Sequence, residues 1–306
     1  MIPVLAIVGA TASGKSAFAV KAAKALGGEV ISADSMQIYK YLDIGTAKIT
    51  PEQMQGVKHH LIDVLEPDDD CNVSRFVSLA EEAIEDVCSR GRLPVICGGT
   101  GLYIDSVLKG MAFEEASCDD EYRAFLCALA DEKGAQFLYE KLVDVDSVAA
   151  QNIHPNNVKR VIRALEFYHV TGKSITVQKQ NTENTKYTPV IIGMKRDREQ
   201  LYKSIDSRVD KMVSDGLFEE VDNLLKKGIG KDSNSMQAIG YREIIWYYEG
   251  KCTADEAIRL IKRNSRRYAK RQMTWFGANE NIYWINPENS DEVTNILHFA
   301  ENKLLS

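Results

Sequence analysis

Residues 3–26 read PVLAIVGATASGKSAFAVKAAKAL, and they decide the fold. Val4 to Val8 is a short apolar run rich in Val, Ile and Leu, the pattern of a strand buried on both faces of a parallel sheet. It runs into Gly9-Ala10-Thr11-Ala12-Ser13-Gly14-Lys15-Ser16, which fits the phosphate-loop pattern G-x-x-x-x-G-K-[ST] at every position. Small residues then alternate with apolar ones to Leu26, as in a helix packed on a sheet. Glycines let such a loop wrap an anion, so that backbone N–H groups and the helix N-terminus meet phosphate oxygens. Lys15 adds a point charge and the Ser16 hydroxyl a ligand for Mg²⁺. The stretch predicts a pyrophosphate-binding loop.

A chain of 306 residues can bury one large core or two smaller ones. No apolar run approaches the roughly 20 residues of a membrane span, and the N-terminus reads as a strand rather than a secretory signal. Cys71, Cys88, Cys97, Cys118, Cys127 and Cys252 are scattered without a C-x-x-C pair, which suits a reducing cytoplasm and argues against zinc or a disulfide framework. A formal charge of −6 gives nucleic acid no general attraction, so any RNA contact must come from local basic stripes.

After the loop helix, Glu29 to Ser32 reads as a second strand that delivers Ala33-Asp34-Ser35-Met36-Gln37 at its C-terminal end, where open α/β sheets bind ligands. Asp34 there can hold Mg²⁺ through water or cap the turn; it can also act as a general base beside the phosphate loop. His59 to Val64 is expected to be a third strand, with the His59-His60 pair packing at its edge for want of a third metal ligand. Glu66 to Asp70 reads as a solvated acidic turn, and Ser74 as the cap of a helix reaching Arg90. Leu93 to Cys97 is the next strand, ending in Gly98-Gly99-Thr100-Gly101. A hydrolysing motor would place a Mg²⁺-binding Asp at such a strand end; this backbone-rich turn instead suits a second contact to an anionic group.

From Ser117 to Lys186 the sequence turns charged and helix-periodic, with Tyr122, Phe125, Leu126 and Leu129 on one helical face and a second helix over residues 157–168. The organisation expected is therefore a core over 1–116 and 187–306, interrupted by an all-α insertion over 117–186. Thr188 to Met194 returns to the sheet; helices follow over Asp197 to Gly228 and Gly240 to Tyr248, and Asn281 to Ile285 is a last edge strand. A long helix over Ala254 to Trp275 carries seven basic residues, Arg259, Lys262, Arg263, Arg266, Arg267, Lys270 and Arg271, in an otherwise acidic chain. A solvated face would explain some of them; a polyanion contact explains their number.

The motifs GATASGKS (9–16), SADSMQIYKYLDIGTAK (32–48), HHLIDVLEP (59–67), GGTGLY (98–103), NVKRVIRALEFYHVTGKS (157–174), DGLFEEV (215–221), QAIGYRE (237–243) and RRYAKRQMTWF (266–276) together resemble the bacterial tRNA dimethylallyltransferases over nearly the whole chain. The resemblance implies a P-loop NTPase-like α/β core and transfer of a dimethylallyl group from dimethylallyl diphosphate to N6 of the adenine 3′ of the anticodon, in tRNAs reading codons that begin with U. It implies that Lys15, Thr100, Arg208 and Mg²⁺ on Ser16 neutralise the leaving diphosphate, and that Asp34 takes the N6 proton. It matches Asp34, Ser35, Met36, Gln37 and Thr100 to the adenine-contacting segment. Arg123 and the stretch Lys159-Arg160-Val161-Ile162-Arg163 match tRNA-contacting positions, and Arg266, Arg267 and Lys270 supply further phosphate contacts. Ala10 stands where the family usually has proline, Ser204 at a common arginine position, and Gly277-Ala278 where a basic residue is frequent. The chain ends at Ser306 without a zinc-finger extension, so a bacterial, cytoplasmic, monomeric enzyme is expected.

Three other readings remain at this point: a nucleotide kinase with a helical lid, a prenyltransferase acting on free adenylate, and a non-catalytic RNA-binding module. The kinase and the adenylate enzyme leave the basic helix without a role. The binding module leaves Lys15, Asp34 and Thr100 without one.

Overall fold

The computed structural model describes residues 1–111, 119–176 and 186–305. Backbone contacts divide the chain into two compact units, Met1–Leu108 with Lys186–Ser306, and Lys109–Thr185. The expected start of the insertion at Ser117, and Cys118, lie outside the described residues.

The larger unit is a parallel sheet with helices on both faces. Its elements are β1 (Ile2–Gly9), α1 (Lys15–Leu26), β2 (Gly28–Ser32), α2 (Pro51–Met54), β3 (His59–His60), α3 (Val73–Ser89), β4 (Leu93–Gly98) and α4 (Gly101–Leu108). The smaller unit supplies α5 (Asp120–Val145), α6 (Ser147–Gln151) and α7 (Val158–Thr171). The chain then returns through β5 (Tyr187–Met194), α8 (Arg198–Ser214), α9 (Leu217–Lys226), α10 (Tyr241–Tyr248), α11 (Ala254–Gly277), β6 (Ile282–Ile285) and α12 (Ser290–Leu304). The strand order is β3-β2-β4-β1-β5-β6, every pair parallel.

Strand alternation builds two cores from one apolar run. Val4, Ala6 and Val8 of β1 pack into a cluster with Ile84 of α3 and Ile261 of α11. Leu5 and Ile7 point to the other face and pack with Phe18 and Ala22 of α1 and Ile296 of α12. Because all strands run the same way, the phosphate loop, the turn after β2 and the Gly-Gly-Thr turn after β4 open at one edge, which is where a parallel sheet binds its ligand.

Three expectations need correction, and one helix lies beyond them. The third strand is only His59–His60, because Leu61 (φ 61°) and Asp63 (φ 56°) take left-handed backbone that no strand continues through. Helix α3 is capped by Asn72, whose side chain accepts from the Arg75 N–H at 2.9 Å, and Ser74 lies inside the first turn. Phe125 leaves the shared face with Leu126, being 57% exposed while Leu126 is buried. Helix α12 went unread, although Asn289 caps it and Val293, Ile296, Ala300 and Leu304 are buried at helical spacing.

Within the smaller unit, α7 buries Val161, Ile162 and Leu165 against Leu126, Leu138 and Leu142 of α5. Glu166 is 1% exposed and receives Arg123 Nη2 at 2.8 Å and Arg163 Nη1 at 3.1 Å.

Candidate active site: two cavities meeting at Asp34

The phosphate loop is held by packing and by one distant side chain. Ala10 and Ala12 sit in a small apolar cluster with Leu201 and Ile205 of α8 and Ala269 of α11. That packing gives Ala10 a fixed place without the ring of a proline. Gln272, 5% exposed on α11, accepts from the Thr11 N–H at 2.8 Å and donates through Nε2 to the Gly99 carbonyl at 2.9 Å. One carboxamide thus ties the phosphate loop to the turn after β4. Helical spacing puts Gln272 on the same side of α11 as Ile258 and Ile261, but nothing in the sequence marks its partners.

Two loop amides are therefore already spent, Thr11 on Gln272 and Ser13 on the Ala10 carbonyl at 3.3 Å. Among the amides that remain are those at the start of α1. The first intrahelical bond there is Phe18 N–H to Gly14 O at 3.1 Å, so the N–H groups of Lys15, Ser16 and Ala17 have no helical acceptor. Of the eight loop residues, Thr11, Lys15 and Ser16 line the adjoining cavity. Gly9, Ala10, Ala12, Ser13 and Gly14 are not part of its lining. Lys15 Nζ rests on the Ala10 carbonyl at 2.6 Å, and burial pulls its ammonium down to about 8, with Arg208 pushing the same way and Asp34 opposing.

The glycines after β4 are there to be approached. A Cβ on Gly98 would lie 2.1 Å from the Ala33 carbonyl oxygen, one on Gly99 2.1 Å from Gln272 Nε2, and one on Gly101 2.3 Å from the Trp275 ring. Thr100 accepts from the Ser35 N–H at 3.3 Å and is not among the residues lining either cavity. Its hydroxyl oxygen thus helps fix the turn after β2, and its O–H remains able to donate. Asp34 holds the same turn through Oδ1, which accepts from the N–H groups of Met36 (2.9 Å) and Gln37 (3.4 Å). Among the described residues nothing hydrogen-bonds Oδ2, so the capping reading and a free carboxylate oxygen coexist in one side chain.

Two cavities open on Asp34. The narrower, about 90 Å³, runs beside Thr11, Lys15, Ser16, Ser32, Gln37 and His59. The wider, about 520 Å³, is bounded by Ser35, Met36, Gln237, Arg242, Arg267 and Arg271. Thr11, Asp34, Thr46, Arg208 and Tyr268 belong to both walls. Arg208 Nη1 reaches Thr11 Oγ1 at 3.5 Å, beside the phosphate loop as expected. Burial and the Asp34 charge raise the Tyr268 phenol, while the Thr100 and Gln272 side chains oppose the shift. The loop over the junction is held by Glu220, whose carboxylate accepts from the amides of Asp43, Ile44 and Gly45 and from the Tyr241 hydroxyl at 2.6–3.0 Å. In the sequence Glu220 is marked only by its place in DGLFEEV. Gln37 Nε2 donates to the Thr46 and Ala47 carbonyls at 3.2 Å, so its amide nitrogen supports that loop too.

The basic residues divide by whether they already have a partner. Arg266 is paired with Asp206 and Lys262 with Asp210 of α8, and Arg259 with Glu256. Arg267 and Lys270 are exposed and make no ion pair among the described residues. On α7, Lys159 and Arg160 are exposed. Val161 and Ile162 are 0% and 6% exposed, so their side chains are core and cannot touch RNA as expected.

Both histidines of the His59-His60 pair have protein partners. His59 Nδ1 lies 2.9 Å from the Val57 carbonyl, His60 Nε2 2.7 Å from Glu29, and no metal-like cluster of three occurs among the described residues.

A phosphate loop whose cavity shares a wall with a larger, arginine-lined cavity defines a two-substrate transferase with a phosphorylated donor. A family model described as IPP transferase matches residues 37–279, and one described as isopentenyl transferase matches residues 2–67. The chain is 49% identical to a tRNA dimethylallyltransferase of Thermoanaerobacter sp. over 99% of both chains, and 47% identical to one of Bacillus pumilus over 98% of this chain and 93% of that one. The crystal structure of the full-length tRNA isopentenylpyrophosphate transferase from Bacillus halodurans superposes with a TM-score of 0.76 at 45% identity, covering 100% and 97% of the two chains. A eukaryotic dimethylallyltransferase acting on tRNA gives 0.82 at 26% identity over 99% of this chain and 80% of that one. The chain belongs to the tRNA dimethylallyltransferase family.

Proposed function

We propose that the protein transfers the dimethylallyl group of dimethylallyl diphosphate to N6 of the adenine 3′ of the anticodon, in tRNAs reading codons that begin with U, and releases diphosphate. The observation that carries this reading is the shared wall at Asp34: a donor in the narrow cavity and a base in the wide one would meet at one carboxylate.

The donor diphosphate lies against the first amides of α1, Lys15 and Arg208, which stabilise charge as the C1–O bond breaks. An exocyclic adenine amine is a weak nucleophile, because its lone pair is delocalised into the ring. Asp34 Oδ2 takes its proton as the C1–N6 bond forms. The wide cavity admits a base only once it has left its stack, and Arg267 and Arg271 neutralise the backbone that delivers it, Arg242 being held by Glu243 at 2.7 Å. Ser16 lines the donor cavity, and no described cluster of carboxylates or histidines could hold a metal there. A Mg²⁺ ion would thus be held by the Ser16 hydroxyl and the donor's own phosphate oxygens, where it would add positive charge to the leaving group. No described helix is long and apolar enough to cross a membrane, and the scattered thiols, none in a disulfide among the described residues, support a cytoplasmic enzyme.

One assay separates this reading from its rivals. Purified protein is incubated with radiolabelled dimethylallyl diphosphate or ATP, and with tRNA or AMP. Label passing from the prenyl donor to tRNA alone is the expected result; label passing from ATP, or to AMP, overturns it.

A further inference from the structure

Beyond the ends of β5 and β6 stands a guanidinium that the reaction above leaves without a task. Met194 is paired with Gly9 of β1 on one side and with Ile285 of β6 on the other. The Lys195 N–H continues that ladder to the Ile285 carbonyl at 2.9 Å. The segments after β5 and β6 therefore leave the sheet side by side at its ligand-binding edge, and they carry Arg196 and Glu288 to the phosphate loop. Arg196 Nη2 lies 2.9 Å from Glu288 Oε1, and Nη1 donates to Ser204 Oγ on α8 at 3.3 Å. One turn further along α8 is Arg208, which reaches Thr11 of the loop.

Three observations turn this arginine toward an anion. A Cβ on Gly14 would stand 3.8 Å from Arg196 Nη2, so the guanidinium lies against the residue that caps the start of α1. Its Nε–H is buried and has no hydrogen-bond partner, a cost that packing alone does not explain. Burial lowers the Arg208 pKa, Asp34 opposes the shift, and Arg196 lowers it further as a like charge. An anion placed between the two guanidiniums relieves that repulsion. Arg196 lines neither cavity, and what holds it back is weak. The Glu288 side chain is 53% exposed, and a solvated ion pair contributes little to stability. A diphosphate offers more charge, and oxygens spaced to meet a planar guanidinium.

We infer that Arg196 is a further donor-binding residue, turning from Glu288 onto the terminal phosphate of a diphosphate held at the start of α1, so that Glu288 and this phosphate compete for one guanidinium. The inference rests on the diphosphate donor proposed above. Charge that develops as the C1–O bond breaks then meets three cations, Lys15, Arg208 and Arg196.

The test is calorimetric titration of the full chain with inorganic diphosphate. Arg196→Met keeps the apolar stem and removes the charge; it should weaken binding by about tenfold or more. Arg196→Lys restores the charge without the fork and should recover part of the loss. Glu288→Gln should act in the opposite sense, tightening binding by about two- to fivefold because the guanidinium is released. An Arg196 that merely braced the turn after β6 would behave otherwise. Each variant then breaks the same bridge, and both move affinity the same way. Binding of tRNA serves as the control and should not change. Glu288→Gln, at an exposed position, reads the sign of the effect should Arg196→Met fold poorly. Unaltered diphosphate affinity in Arg196→Met, or a weakening shared by Glu288→Gln, overturns the inference. These titrations need neither acceptor nor transfer, so they decide on Arg196 whatever the donor–acceptor assay says of the proposed function; wild-type protein with no affinity for diphosphate rejects both.

Discussion

Gln272 Nε2 donates to the carbonyl of Gly99 at 2.9 Å, joining residues 173 positions apart at the point where a Cβ on that glycine would come within 2.1 Å. The same amide accepts from Thr11 on the phosphate loop. Gln272→Leu keeps the volume and leaves both backbone groups without partners. A loss on the order of 2 kcal/mol is expected in urea unfolding, with weaker donor binding. Gly99→Ala should be equally harmful alone and less so on a Gln272→Ala background, where the clash is gone. Strict additivity of the two in a double-mutant cycle would break the link.

Lys15 sets a pH limit on donor binding. Its ammonium is lowered to about 8, chiefly by burial. Affinity for inorganic diphosphate should therefore fall as pH rises through about 8, and Lys15→Ala should bind weakly at every pH with a flatter profile. The effect on stability has the opposite sign. Between about 8 and the unfolded value of 10.5 the unfolded chain holds the extra proton, so stability rises with pH across that window and the burial penalty is complete below it. Calorimetric titrations from about pH 7 to about pH 9.5 read the first effect; unchanged affinity over that range contradicts it.

Asp34→Asn retains an oxygen for the Met36 and Gln37 amides but cannot take a proton. Turnover should fall by about 10² to 10⁴, with tRNA and diphosphate affinities little altered. A carboxylate that served Mg²⁺ instead would give weaker diphosphate binding and a rate restored by high Mg²⁺. Single-turnover rates across a Mg²⁺ titration distinguish the two, and substantial rescue would falsify the base assignment.

Charge on α11 should matter only where it has no partner. Arg267→Ala with Lys270→Ala is expected to lower the slope of log K against log salt for tRNA binding by roughly 0.7 to 0.9 per lost phosphate contact. Arg266→Ala, whose guanidinium is paired with Asp206, should leave the slope where it was and reduce stability instead. Equal slopes for the two variants would place all three residues on a solvated face.

What the sequence reveals here is what is local. The phosphate loop, β1, β2, β4 and β5 are each announced by a run of fewer than about ten residues in which every neighbour agrees. β3 misleads because HHLIDV has strand composition, and only the backbone shows the left-handed turns at Leu61 and Asp63. Val161 and Ile162 lie among basic residues and so read with them, though their apolar side chains belong to the inner face of α7. Gln272 and Glu220 escape for another reason. Each is a polar residue on an amphipathic helix whose backbone partners lie 173 to 261 residues away in sequence, Gly99 and Thr11 for one and Asp43 to Gly45 for the other, and no periodicity encodes such a pairing.

Helix α11 carries Arg267 on the wall of the wide cavity, Lys270 on its open face and Gln272 on the phosphate loop, all within two turns of one rod. A polyanion drawn onto the first two residues therefore presses on the element that braces the third. If occupancy at one end stiffens the other, thermodynamic reciprocity requires the influence to run both ways. Donor and RNA should alter each other's dissociation constants by one common factor, and Gln272→Leu should bring that factor close to unity.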